Sequence, residues 1–313
     1  MRVGLLGLGR IGAFHAANLA AHPLVDELIV ADPVRTSPYG RPGDPFEADA
    51  VVIATPTSTH AELLVRACEL GVPAFCEKPV AGTVADTVKV LEASAGRRVS
   101  IGFQRRFDPG YRAAAAALRA GELGELHRVH LVTADPAPPP AAYLPLSGGI
   151  FRDCHIHDFD ILRWVTGREV VSVHAAGANR GAAFFAEAGD VDNSAALLTL
   201  DDGTLATVQG SRYNGAGYDV RMELAGTEGT HAVGLGPRAP LTSTEGLQPP
   251  GPPWPDFVTR FADAYTAEID AFLRGGDGLC SVAESLAALY VAEAADLSLR
   301  ERRPVQVAEV ALA

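Results

Sequence analysis

The chain has 313 residues, 48% of them hydrophobic, and a formal net charge of −12. That length and apolar content suit two globular domains with full cores, and the acidic balance argues against nucleic-acid and anionic-membrane partners, which need clustered basic residues. Four cysteines, Cys68, Cys76, Cys154 and Cys280, lack CxxC spacing, which reads as reduced thiols in a cytoplasmic protein rather than a disulfide framework or a zinc site.

In chain order, Arg2–Leu6 reads as a short buried strand and residues 11–21 as a helix. Strands follow at 28–31 and 50–54, then a helix at His60–Leu70 closed by Gly71, a strand at 73–76, a helix at 83–95 and a strand at Val99–Gly102. Strands alternating with helices imply a parallel sheet covered on both faces. After Phe103 a helix is expected at 109–120, a strand at 126–132 and a helix at 158–166. A run of strands comes next, at Val170–Ala178, 195–200, 205–212, 219–225 and 229–233, with Asp201-Asp202-Gly203 as a hairpin turn. Consecutive strands suggest an open, mostly antiparallel sheet. A Pro/Gly linker at 248–255 leads to two closing helices, 257–273 and 282–300. The start of the chain lacks the regions of a signal peptide, and no uncharged apolar run reaches membrane-spanning length.

Gly7-Leu8-Gly9-Arg10-Ile11-Gly12 lies between the first strand and the first helix. Gly7 permits a tight turn, Gly9 lets a pyrophosphate approach the backbone, and Gly12 allows close helix–strand packing. The helix N-terminus offers N–H groups to phosphates, with Arg10 and Ile11 in its first turn. Asp32, 20 residues beyond Gly12, stands where a carboxylate receives adenosine ribose hydroxyls, which favours NAD over NADP; Arg35, three residues on, could soften that preference. Ligands sit beyond the carboxyl ends of parallel strands, which brings Thr55, Pro56, His60, Glu77 and Lys78 to the cofactor. Pro79 holds Lys78 out of the helical region and so fixes where it points.

Asp153 and His157 are four residues apart, on one face if both are helical. A carboxylate beside a neutral imidazole makes a proton acceptor near physiological pH. With a dinucleotide fingerprint, that suggests removal of a hydride and a proton from an alcohol. His155 and His157 form an HxH pair, but on a helix they point apart and no third ligand has metal spacing, so no metal is expected and His155 either packs behind the site and supports its residues or touches substrate. Gln104 reads as near the cofactor or substrate. Arg105, Arg106 and Asp108 either line a cleft or form a salt-bridged surface turn. Tyr213, Asn214 and Tyr218 either close a pocket or pack on the sheet.

These motifs resemble the Gfo/Idh/MocA oxidoreductases. The resemblance rests on Gly7 to Gly12, Ala54 to His60, Glu77-Lys78-Pro79, Gly102-Phe103-Gln104-Arg105-Arg106-Phe107-Asp108 and Gly148 to Trp164, and covers nearly the whole chain. Asp135-Pro136-Ala137-Pro138-Pro139-Pro140 followed by Ser147-Gly148-Gly149 looks most like the inositol 2-dehydrogenase branch. It implies a Rossmann NAD-binding domain at 1–103 and, at 104–313, an α+β domain for substrate binding and oligomerisation, its open sheet packing in homodimers or homotetramers. It also implies a catalytic set of Lys78, Asp153 and His157, with Gln104, Arg105 and Tyr218 near the substrate, and NAD-dependent oxidation of a ring alcohol of an inositol-like cyclitol.

Two departures stand out. Residues 33–49, carrying four prolines, are too short and broken for a helix, so a loop is expected to replace one βα unit on the adenine side. Thr133-Ala134 replaces the Ser-Arg common in the inositol branch, which leaves polyol, aminocyclitol and sugar substrates open. The rivals are a sugar or aminocyclitol keto-reductase of the same family and a non-catalytic NAD-binding regulator, since fold alone does not fix function.

Overall fold

The computed structural model describes residues 1–246 and 249–311; Gln248, at the start of the expected linker, lies outside them. Two compact units divide the chain. One is Met1–Phe107 with Asp263–Ala287, and the other is Asp108–Ala262 with the residues from Ala288 on. Compactness therefore divides the chain differently from a single cut after residue 103, because the first unit recruits a late segment.

The first unit runs β1 (Arg2–Leu6), α1 (Arg10–Ala21), β2 (Glu27–Ala31), β3 (Arg41–Pro42), β4 (Ala50–Ile53), α2 (His60–Leu70), β5 (Ala74–Glu77), α3 (Val84–Ala93) and β6 (Val99–Gly102). The six strands form one parallel sheet in the order β3-β2-β1-β4-β5-β6. All four residues of β4 are buried, as expected of a strand covered on both faces. Helix ends follow local chemistry: Thr83 accepts the Asp86 N–H ahead of α3, and Gly71 closes α2 at φ 71°. Val3, Leu5, Leu19, Val52 and Phe75 pack with Ile269, Phe272 and Leu273 of the recruited segment in one core.

Residues 33–49 hold no α-helix, but they keep more structure than a loop. Arg41–Pro42 pairs with Ile29 and Val30 as a two-residue edge strand. Pro45–Glu47 forms a 3-10 turn whose first N–H groups are met by Asp44, and Pro45 and Phe46 are buried. A Cβ at Gly4 would stand 2.1 Å from the Pro45 carbonyl oxygen, so the glycine lets this turn lie on β1.

In the second unit come α4 (Pro109–Arg119), β7 (Leu126–Ala134), α5 (Leu144–Ser147), α6 (Ile156–Thr166), β8 (Val170–Ala178), α7 (Phe184–Glu187), β9 (Asn193–Leu200), β10 (Leu205–Ser211), β11 (Asp219–Gly226), β12 (Thr230–Val233) and α8 (Phe257–Arg260). The division between units falls inside α9 (Ala262–Arg274) and α10 (Val282–Glu301), and β13 (Val305–Gln306) and α11 (Val307–Ala311) follow. The helix expected at 257–273 is broken near Phe261 into α8 and α9. Seven strands form a sheet in the order β12-β11-β7-β10-β9-β8-β13. All its pairs are antiparallel except β7–β10, which is parallel with Ala134 opposite Ser211. Buried and exposed residues alternate along β9 and β10, so one face is core and the other open. No helix among the described residues is long and apolar enough to cross a membrane.

Candidate active site

The glycine turn of the first unit has the shape its sequence implies. Gly7 takes φ 90°, where a side chain would be strained. A Cβ on Gly12 would come within 2.1 Å of the Gly7 oxygen, whereas one on Gly9 would meet only Arg35 at 3.7 Å. Gly9 caps α1 with no side-chain hydrogen bond and no acidic residue stands in the first turn, so the helix offers its N–H groups to a phosphate. Arg10 and Ile11 are in that turn. This cradle fits a dinucleotide pyrophosphate.

Asp32 ends β2 and is knitted into the turn. Its Oδ2 accepts the Leu8 N–H at 2.7 Å, and its Oδ1 accepts the N–H groups of Val34 and Arg35. Those bonds, led by the one from Leu8, hold the carboxyl below its ordinary value. The Arg35 guanidinium donates to the Leu8 carbonyl at 3.0 Å, so Asp32 and Arg35 both fasten to Leu8 of the glycine turn.

At the next strand ends, His60 is buried and braces rather than reaches. Its Nδ1 lies 2.7 Å from the Pro79 oxygen and its Nε2 lies 2.9 Å from the Thr55 oxygen. The imidazole thus ties the Thr55 carbonyl to that of Pro79, which follows the cis Lys78–Pro79 bond, and both its nitrogens face backbone oxygens. Glu77 meets the buried His15 of α1, Oε1 to Nε2, at 2.7 Å. Sequence reasoning missed His15, whose spacing inside an alanine-rich helix gives no local signal. Gln104 and Arg105 are buried in a 3-10 turn, Gln104 without a described partner for its Oε1. Arg106 is buried and donates to Glu284 at 2.7 Å, so the surface-turn alternative fails for both arginines. Asp108 caps α4 through Gly110 and Tyr111 and pairs with Arg260, so it is structural.

In the second unit, Asp153 and His157 do not share one regular helix. Residues Phe151–His155 make a π-helical turn that leads into α6, with His157 half-buried at its start. Such turns often occur at functional sites. The Asp153 carboxylate accepts a 2.9 Å bond from the Tyr143 hydroxyl and a 2.7 Å bond from the Arg212 guanidinium. Arg212 also donates to Asp135 at 3.2 Å. Burial, followed by the neighbouring Asp153 charge, raises the Tyr143 hydroxyl, which stays a donor. Burial also raises the Asp135 carboxyl, against the pull of Arg212. Tyr143 and Arg212 gave no signal in the sequence, since their neighbours come from other elements.

His155 is a packing residue. It is 1% exposed, with Nδ1 2.7 Å from Asp158 Oδ2 and Nε2 2.8 Å from Ser194 Oγ. Asp158 in turn accepts the Thr133 hydroxyl at 2.8 Å, so the threonine hydroxyl has a structural use. Tyr218 is 6% exposed, its ring 6.5 Å from that of Phe257 and its backbone bridged to Trp254.

Residues 40–103 match the oxidoreductase family with an NAD-binding Rossmann fold, and residues 111–232 match the GFO/IDH/MocA C-terminal domain. An inositol 2-dehydrogenase of Rhizobium meliloti (strain 1021) is 37% identical, the match covering 98% of this chain and 99% of that protein. The chain belongs to the Gfo/Idh/MocA oxidoreductase family. The scyllo-inositol 2-dehydrogenase (NAD(+)) of Bacillus subtilis (strain 168) is 35% identical over 98% of this chain and 96% of its own. Among solved structures, scyllo-inositol dehydrogenase from Lactobacillus casei with bound NAD(H) and scyllo-inositol superposes with a TM-score of 0.86 at 28% identity, covering 98% of this chain and 99% of that one. As a member of the family this chain is an NAD-dependent oxidoreductase, built as a Rossmann unit followed by a unit with a mixed sheet.

Proposed function

We propose that this oxidoreductase takes a secondary ring alcohol of an inositol-like cyclitol to the ketone. The observation that carries the reading is the Asp153 carboxylate, held by Tyr143 and Arg212 on the turn that leads to His157. Full-length likeness to proteins named inositol 2-dehydrogenases supports it.

In this reading His157 accepts the hydroxyl proton, and Asp153 stabilises the imidazolium that results. Lys78 stabilises the alkoxide character developing on the oxygen. The hydride leaves the carbinol carbon as the C=O bond forms, and bound NAD supplies the acceptor at nicotinamide C4. Gly7, Gly9, Arg10, Ile11 and Gly12 hold the pyrophosphate and Asp32 the ribose. Gln104, Arg105 and Tyr218 remain proposed as shaping the substrate pocket, Tyr218 through packing.

We further take the open face of the second sheet, where Leu197 and Leu205 stand exposed, as a packing face between copies in a homodimer or homotetramer. The four free cysteines suit a reducing compartment, and a cytoplasmic location belongs to the reading.

The test is NADH formation with myo-inositol, scyllo-inositol, aminocyclitols and aldoses. A cyclitol should turn over, and Lys78→Ala or His157→Ala should lower kcat roughly a hundred-fold or more while NAD affinity by calorimetry holds. Near-wild-type turnover in either variant would sink the catalytic assignment. Activity confined to keto-sugar reduction would replace the substrate class.

A further inference from the structure

Arg212 holds the Asp153 carboxylate from a base that the sheet itself fixes. Arg212 is 3% exposed and follows directly on β10. Strand β7 is its parallel neighbour, and Ala134 is in register with Ser211. Parallel pairing therefore brings the next residues of the two strands, Asp135 and Arg212, side by side at the carboxyl ends. The backbone fixes both: Asp135 N–H donates to the Ser211 carbonyl at 2.9 Å, and Arg212 N–H donates to the Asp192 carbonyl at 2.8 Å. From that base the guanidinium spans two carboxylates, with one nitrogen on Asp135 and the other on Asp153. The Tyr143 hydroxyl takes the other Asp153 oxygen, so bonds from two directions define the carboxylate plane.

We propose that Arg212 is a positioning residue for the reaction, anchored by Asp135, that keeps Asp153 ionised and in one orientation beside His157. This inference rests on the proposed role of Asp153.

The electrostatics support the geometry. Burial acts to lower the Arg212 pKa, but Asp153, Asp135 and the Cys154 sulfur, all facing the guanidinium, outweigh it and leave it raised, so the cation persists. Without it, Asp135 and Asp153 would be two partly buried carboxylates close together, and one of them would hold a proton into the working pH range. A protonated Asp153 stabilises an imidazolium poorly, so the loss should appear in kcat. Among the described contacts, Asp153 meets Tyr143 from the turn before α5 and Arg212 from the end of β10, and its charge acts on Asp135 at the end of β7.

Arg212→Gln, Arg212→Lys and Tyr143→Phe test this in the full-length protein. Arg212→Gln should bind NAD with unchanged affinity, lose kcat more than KM, and move the acid limb of its pH–rate profile upward by about one to three units. Arg212→Lys should restore most of the profile, since the charge returns without the two-pronged fork. Tyr143→Phe should lower kcat without moving the limb as far. A folded Arg212→Gln with wild-type kcat and pH profile overturns the proposal. Should Arg212→Gln not fold, Tyr143→Phe decides it, and wild-type kinetics there overturn it.

A readout without turnover separates this from failure of the cyclitol reading. Cys154 is half-buried, with its Sγ 3.8 Å from Asp135 Oδ2, whereas the other three cysteines are buried. Iodoacetamide should modify Cys154 more slowly in Arg212→Gln, where a thiolate would form beside two carboxylates with no guanidinium, and near the wild-type rate in Arg212→Lys. Equal or faster labelling in Arg212→Gln counts against the cluster whatever the substrate. Activity surviving in Lys78→Ala would instead sink the reading and leave the cluster result standing.

Discussion

At the scale of single residues, the site is built by carboxylates whose partners differ. Asp32 is held by the Leu8 N–H of the glycine turn and by the Val34 and Arg35 N–H groups of its own turn, and Asp153 by a guanidinium and a phenol. The first arrangement has a direct consequence in pH. The Asp32 carboxyl is held below its ordinary value, chiefly by the Leu8 N–H. A group depressed in this way stabilises the fold above its unfolded value, and that contribution is lost as pH falls through the folded one. Asp32→Asn should therefore melt below the wild type at neutral pH, and the gap should close as pH falls below about 4. Thermal melts of both proteins across pH check this, and a gap that stays constant into acid would refute it.

At the scale of elements, close approach decides where small residues stand. Gly210 on β10 is the clearest case in the second unit, because a Cβ there would lie 2.4 Å from His155 Nε2. The glycine leaves room for the buried chain of Thr133, Asp158, His155 and Ser194, which joins β7, α6 and β9. Gly210→Ala should cost about 1–3 kcal/mol through overpacking, with a further loss if the Ser194 bond breaks and leaves a buried nitrogen unpaired. Urea unfolding measures it, and an unchanged midpoint would mean that the imidazole has another place to go.

For the whole molecule, each unit completes itself with chain drawn from far away in sequence. The first unit closes its core with Ile269, Phe272 and Leu273. In the second unit, Ser298 of α10 accepts the Ala175 N–H of β8 and donates to the Arg303 oxygen. The open sheet face remains the surface for assembly in the proposed reading. Leu197→Asp should shift the protein to a smaller species in light scattering after gel filtration while its circular dichroism is kept. A Leu197→Asp protein of unchanged mass would move the interface elsewhere.

Much of this was legible because it depends on neighbours in sequence. The glycine turn, Asp32, the Gly71 cap and the alternation of β9 and β10 follow from local backbone and burial rules that a linear chain displays. The late helix in the first core, the edge strand Arg41–Pro42, and the pairing of Arg212 with Asp135 and Asp153 were hidden. Each depends on which distant segments the sheet order makes adjacent, and a two-residue strand or a lone arginine carries no period of its own. By itself the sequence determined the residue types that a dinucleotide and a proton transfer require. Only the tertiary structure decided that β7 and β10 run parallel, and that pairing is what sets an arginine against the candidate catalytic carboxylate.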